Sequence, residues 1–279
     1  MKVLVLGNAL KEGVIAEVDR QLPMLRRHLD VVLVDLRQEK PLPDADLALV
    51  FGGDGAILRA ARQMGYRQVP VLGVNLGRLG FLADVSPEEL EASVEQITAG
   101  RGRVTHHVMY ECVLEDPKAA SSQTFLGLNE VVLHTLPPFH ILDLSLTIDG
   151  VNVARFAGDG LIISTPIGST AHNLSAGGPI LGQELDAFVI TPICPHTLTY
   201  RPLAESAAST YQVRLNDDSE GAVAIFDGQE SRPLGPEHVV TIRRAPVRFH
   251  LMKTPGRSYY QTLRDKLRWA TLPGYRGQT

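Results

Sequence analysis

The sequence predicts an α/β N-terminal domain with a Rossmann-like open sheet. A mostly antiparallel β C-terminal domain follows, and a last helix returns to the first domain. Three observations predict this. Up to about residue 102, short apolar runs alternate with helically spaced stretches, the mark of a parallel sheet with helices on its faces. From 103 onward, period-two alternation takes over, as in Leu142, Leu144, Leu146 and Ile148 set against Asp143, Ser145, Thr147 and Asp149. Near the end, Ser258 and Gln261 make a capping box ahead of an apolar face of Leu263, Leu267 and Ala270. The domain bounds that follow are 1–102, 103–252 and 253–279.

Each element has a local reason. Residues 2–7 form an apolar run ending in glycine, and 14–29 carry Val14, Val18, Leu22 and Leu25 on one helical face, with Pro23 as a point of kinking or splitting. Strands are expected at 31–36, at 46–51, running straight into Gly52, and at 69–75, with a helix at 56–64 between the last two. Ser86, Pro87 and Glu89 give the next helix an N-cap, a first-turn proline and a capping box, and Gly100 stops it. In the second part, strands are expected at 104–114, 129–134, 141–149, 151–156, 188–193, 211–215, 222–226, 238–243 and 247–251. Asp149-Gly150 is a hairpin turn. The one helix expected there is 168–176, whose start at Gly168-Ser169-Thr170 would aim N–H groups at an anion.

Composition excludes several classes of function. The chain has 279 residues and a formal net charge of −4, so it lacks the basic footprint of a nucleic-acid binder. No apolar run is long enough to span a bilayer. Two cysteines without CxxC spacing, Cys112 and Cys194, read as reduced thiols in a cytoplasmic protein. Nine histidines occur without an HExxH motif, so no zinc site is expected, and no side-chain motif for a metal is present.

The chemistry points to two glycine-acid turns. One is Phe51-Gly52-Gly53-Asp54-Gly55; the other opens GDGLIISTPIGSTAHNLSAGGPI at Gly158. Glycine lets the backbone approach a ligand closely, and N–H groups in such turns cradle phosphates. Asp54 falls at the carboxyl end of a strand, where open α/β sheets bind ligands. A carboxylate there can orient a hydroxyl or take its proton. Neither the GxGxxG fingerprint nor the P-loop is present, and no lysine sits in either glycine-rich segment. Phosphate contact is therefore expected from backbone N–H groups, hydroxyls and a metal ion.

The ordered motifs FGGDGAILRAAR, LGVNLGRLGFLAD, LNEVVL, GDGLIISTPIGSTAHNLSAGGPI, ITPICPHTLTYRPL, FDGQ and TLRDKL span nearly the whole chain. In them the chain resembles the NAD kinases, including their polyphosphate/ATP-dependent members. The resemblance implies transfer of the terminal phosphoryl of ATP to the 2′-hydroxyl of the adenosine ribose of NAD, giving NADP. It implies an active site between two domains, Mg²⁺ or another divalent ion held mainly through ATP phosphates, and a homodimer or homotetramer. It implies Asp54 as the catalytic carboxylate; Gly52, Gly53, Gly55 and Arg59 as phosphate contacts; and Gly55, Asn129 and Glu130 as contacts to NAD. Thr170, Ala171 and His172 match positions beside the adenine, and Asp159 a position near the nicotinamide, reached across a subunit interface. Gln229, with Asp227, fits a hairpin turn and a substrate wall equally; Gly177-Gly178-Pro179 fits backbone geometry, and His196 and Arg201 fit phosphate contacts or solvated loop positions. Two departures stand out: Ala56 where many members have Thr, and His172 where many have Tyr. The rival readings are a diacylglycerol- or sphingosine-type lipid kinase, which shares the Gly-Gly-Asp-Gly turn, and a non-catalytic NAD(H) sensor.

Overall fold

Strand β1 (Lys2–Gly7) opens a computed structural model that describes residues 1–38, 40–77, 80–137, 139–197, 199–216, 221–255 and 258–268. The chain divides into two units: Met1–Gln63, Val69–Thr105 and the segment from His250 onward in one, and Met64–Gln68 with His106–Phe249 in the other.

In the first unit, β1 is followed by α1 (Glu12–His28), β2 (Asp30–Asp35), β3 (Leu47–Phe51), α2 (Asp54–Met64), β4 (Val71–Val74), β5 (Ala83–Val85) and α3 (Leu90–Thr98). The strands pair in parallel in the order β2-β1-β3-β4-β5. Strand β3 is buried along its whole length, as a central parallel strand should be. Helix α1 runs unbroken through Pro23, which is exposed; the hydrogen bond that proline forfeits is left to solvent. The capping box at Ser86 and Glu89 is present, on a 3-10 turn at Pro87–Glu89 that leads into α3.

The second unit holds most of β6 (Arg103–Asp116), then β7 (Ser121–Gly127), β8 (Glu130–Thr135), β9 (Leu142–Ile148), β10 (Val151–Gly158) and β11 (Gly160–Ser164). A 3-10 turn (Gly168–Thr170), α4 (His172–Ser175), β12 (Ala187–Ile193), β13 (Leu203–Ser206), β14 (Tyr211–Leu215), β15 (Ala222–Phe226), β16 (Glu230–Leu234) and β17 (Val239–Lys253) complete it. One antiparallel layer has the order β13-β12-β11-β8-β15-β16. The facing layer carries β10-β9-β14-β17, with β6 beside β17 and β7 beside β6. Inward residues of both layers, among them Tyr110, Leu144, Ile163, Phe188 and Phe226, share one core. At the β9–β10 hairpin, Asp149 and Gly150 take φ of 49° and 80°, the primed turn that two positive φ angles make. Strand β17 is one strand where two were expected; its residues to 249 belong to the second unit and 250–253 to the first.

Five strands lie where none was expected: β5, β7, β11, β13 and β16. The first half of β7 is exposed and polar, and β16 contains Pro233, a residue that favours edge strands. Strand β11 is wholly buried, so it shows no alternation to read. The expected helix at 168–176 is instead a 3-10 turn and a short helix broken at Ala171, whose ψ is −127°.

The last helix, α5 (Tyr259–Leu267), belongs to the first unit and starts at the Ser258–Gln261 capping box. Its buried residues are Thr262 and Leu263, while Leu267 is exposed; the expected continuation to Ala270 lies outside the described residues. Among the described residues, no helix is long and apolar enough to cross a membrane.

Candidate active site

Strand β3 delivers the Gly52-Gly53 turn at its carboxyl end. Gly52 has φ of +150°, and a Cβ there would lie 2.8 Å from that of Ala56, so only glycine lets α2 begin so close to the strand. Ala56 is thus the small residue packed against this turn. Asp54 is the first residue of α2, where a negative charge suits the helix dipole. Gly53 and Gly55 are exposed on either side of it, and Arg59 lies further along the same helix, half-buried.

The Asp54 carboxylate is held by the segment before β5. Its Oδ2 accepts the Phe81 N–H at 2.8 Å, and its Oδ1 accepts those of Leu82 and Ala83 at 3.0 and 3.1 Å. A Cβ at Gly80 would overlap the carboxylate, so glycine is required there for close approach. From α5, Lys266 Nζ stands 4.0 Å from Oδ2 and 4.3 Å from the centroid of the Phe81 ring. Asp54 is thus an oriented group and not a loose turn residue. Each carboxylate oxygen has two lone pairs, so Oδ1 is filled by two donors and Oδ2 keeps one lone pair for a further partner.

In the second unit, three segments meet at one end of the β8-containing layer. These are the start of β8 at Asn129-Glu130, the end of β11 at Ser164-Thr165, and the β15–β16 turn at Asp227-Gly228-Gln229; the registers Ser164↔Glu130 and Phe226↔Val131 put them side by side. Asp227 is a turn residue, with φ of 51°, and it is also a bracket. Its buried carboxylate accepts the N–H groups of Leu128, Asn129 and Glu130 at 2.9, 2.8 and 3.1 Å. Thr165, fully buried, ties the same strand start from the other side: its hydroxyl donates to the Leu128 carbonyl at 2.5 Å and its N–H to that of Asn129 at 2.8 Å. Gly168 sits against the Asn129 carbonyl so closely that any side chain would collide with it.

These contacts set the electrostatics. Burial pushes Glu130 up to about 8, with the Asp227 charge adding to the effect. Burial also raises Asp227, and its three N–H donors oppose that. His172 is exposed at the start of α4; partial burial, and then the nearby His134, lower its pKa below the ordinary histidine value. Thr170 and Ala171 are half-buried beside it, the Thr170 hydroxyl donating to the Ile167 carbonyl at 3.2 Å.

One expectation is corrected here. The N–H groups of Gly168 and Ser169 are not aimed at an anion; they donate to the Thr165 hydroxyl at 3.2 Å and the Thr165 carbonyl at 3.0 Å. Asp159 does not join the Asn129 cluster. It lies at the other end of β11, where its N–H donates to the Ile193 carbonyl at 3.0 Å, and five strand residues span about 16 Å. Exposed Cys194 neighbours it, the Asp159 carboxylate raising the thiol pKa. His196 and Arg201 are also exposed, the Arg201 guanidinium donating to the Tyr200 carbonyl at 2.7 Å. Sequence reasoning missed Gly80, Phe81 and Lys266 around Asp54, and Thr165 and Asn173 in the long segment. Asn173 is fully buried and joins the Ser169 and Pro179 carbonyls to the Thr191 hydroxyl. All five stood inside quoted motifs, but only the fold pairs them with their partners. Among the described residues, no group of three potential metal ligands occurs.

Comparison with known proteins agrees with this architecture. Residues 32–102 match the model of the ATP-NAD kinase N-terminal domain, and residues 128–254 that of the ATP-NAD kinase C-terminal domain. The NAD kinase of Rhodopirellula baltica is 42% identical over 271 residues, covering 96% of this chain and 87% of that protein. That of Alcanivorax borkumensis is 42% identical over 233 residues, covering 82% and 76%. Among solved structures, yeast NADH kinase complexed with NADH superposes with a TM-score of 0.89 at 21% identity, covering 99% of this chain and 90% of that one. An Archaeoglobus fulgidus NAD kinase in complex with ATP gives a TM-score of 0.79 at 28% identity, covering 96% and 99%.

Proposed function

The chain belongs to the NAD kinase family, and from that membership we propose how its residues phosphorylate NAD. The terminal phosphoryl of ATP passes to the 2′-hydroxyl of the adenosine ribose, giving NADP. A secondary hydroxyl is a poor nucleophile at neutral pH. Asp54 Oδ2, with its remaining lone pair, orients that hydroxyl and accepts its proton, a service worth roughly 10²–10⁴-fold. The observation that carries this reading is the fixing of the Asp54 carboxylate by three backbone N–H groups while its side chain stays 32% exposed. Such a group is aimed in advance, which is what phosphoryl transfer asks of a protein.

Gly52, Gly53, Gly55 and Arg59 receive donor phosphates at the start of α2. Asn129 and Glu130 hold the adenosine end of NAD, with Thr170, Ala171 and His172 beside the base and Gln229 on the adjoining turn. Glu130, being protonated, can donate to a ribose oxygen as well as accept. Asp159, about 16 Å along β11, meets the nicotinamide end of a dinucleotide held by a neighbouring subunit. A divalent ion such as Mg²⁺ would be held mainly through the donor phosphates and would supply neutralisation of their charge. The enzyme works in the cytoplasm as a homo-oligomer; free Cys112 and Cys194 support a reducing compartment.

The test is an endpoint assay of purified protein with ATP, Mg²⁺ and NAD, read by an NADP-specific dehydrogenase. NADP formation is expected. Folded protein that binds NAD and forms no NADP with ATP or polyphosphate would establish a sensor instead. Turnover of diacylglycerol in place of NAD would establish the lipid kinase.

A further inference from the structure

The Asp54 carboxylate has a charge partner that neither glycine-rich segment supplies. Lys266 Nζ, on α5, stands 4.0 Å from Oδ2, the oxygen that keeps a free lone pair. Phe81 touches both groups. Its N–H holds Oδ2 at 2.8 Å, and its ring lies under the ammonium at 4.3 Å, within cation–π range. Tyr259, from the first turn of α5, lies on the same ring at a centroid distance of 6.4 Å. Helix α5 is therefore seated on the residue that orients the carboxylate, and it brings a cation to it. Both side chains are about a third exposed, at 29% for Lys266 and 32% for Asp54, so the pair is open to an incoming ligand.

We propose that Lys266 is a positioning residue for phosphoryl transfer, acting through Asp54. From 4.0 Å its ammonium offsets the charge on Oδ2, so that the phosphoryl group can come beside the carboxylate during transfer. The inference rests on the kinase reading above. It assigns α5 a part in the chemistry, since the helix contributes the one cationic side chain that an ion pair places at Asp54 among the described residues.

The test compares wild type with Lys266→Gln, Lys266→Met, Lys266→Arg and Asp54→Asn in steady-state kinetics. The Met variant keeps the apolar stem over Phe81, which separates lost charge from lost packing. Partly exposed ion pairs are worth up to about 1 kcal/mol, which converts to at most about fivefold. The Gln and Met variants should therefore lose roughly two- to fivefold in kcat, with KM for NAD and for ATP unchanged. Lys266→Arg should recover most of that loss, and the deficit of the Gln variant should shrink as salt screens the pair. Wild-type kcat in both neutral variants would overturn the proposal. So would a loss confined to KM for ATP, or an Arg variant as impaired as Gln. If wild type itself makes no NADP, the kinase reading fails. If wild type turns over, Asp54→Asn does not, and the neutral Lys266 variants match wild type, only this inference fails.

Discussion

At the scale of single residues, the second unit's site depends on two buried carboxylates, Glu130 and Asp227. Glu130 is pushed up to about 8, whereas an unfolded glutamate titrates near 4.3. Between those values the folded protein holds a proton that the unfolded chain has lost, so this residue's contribution to stability is full in acid and is lost as pH rises through about 8. Glu130→Gln should flatten the fall in Tm between pH 5 and 8.5, and the variant should match or exceed wild type at the alkaline end; an unchanged slope would count against a buried, protonated Glu130. His172 carries a different prediction. Its lowered pKa keeps the imidazole neutral at pH 7, so the ratio of KM for NAD between His172→Ala and wild type should be constant from pH 7 to 8 and change only as pH falls below about 6.5. His172→Ala should weaken NAD binding by about 1–3 kcal/mol, the scale of base–aromatic stacking. An unchanged KM would remove His172 from the adenine site. The residues named in these predictions were legible in the sequence because each stood in a motif. What each one touches was not, because Asp227 meets Leu128 from 99 residues away.

At the scale of elements, the site is built where strands end. The β3–α2 turn and the segment before β5 are separate in sequence, yet they close on one carboxylate, with Phe81 bonded to Asp54 across 27 residues. Gly80 is the residue that permits this. Gly80→Ala should push the Asp54 carboxylate out of its three N–H bonds and lower kcat nearly as far as Asp54→Asn, with β3 and α2 intact by circular dichroism. Wild-type turnover in Gly80→Ala would show that this bonding is not needed for the reaction. The elements themselves were legible wherever a period shows: the alternation of β9, the capping boxes at Ser86 and Ser258, and the Asp149-Gly150 turn. They were illegible where burial on both faces erases the period, as in β11, or where an edge strand is polar or holds proline, as in β7 and β16. The expected helix at 168–176 failed for a related reason. The Asn173 side chain takes the Ser169 carbonyl, which a regular helix would have paired internally.

At the scale of the whole molecule, the parallel first unit and the antiparallel second unit each carry part of the proposed chemistry. The first sets a carboxylate at the carboxyl ends of parallel strands, where such sheets bind ligands. The second sets a polar cluster at one end of a layered β core. Fold class was readable from the change of period near residue 103, because that change reflects two different ways of burying a sheet. That β17 is a single strand with residues in both units was not, since Arg243 and Arg244 interrupt its alternation with two successive exposed positions. The central claim is that Asp54 is the group through which this chain phosphorylates NAD. The measurement that tests it most directly is NADP formation from ATP, Mg²⁺ and NAD by wild type and Asp54→Asn side by side, with NAD binding measured on both. The account predicts NADP from wild type, a loss of roughly 10²-fold or more in the variant, and undiminished NAD binding in both. Near-wild-type turnover by Asp54→Asn would contradict it.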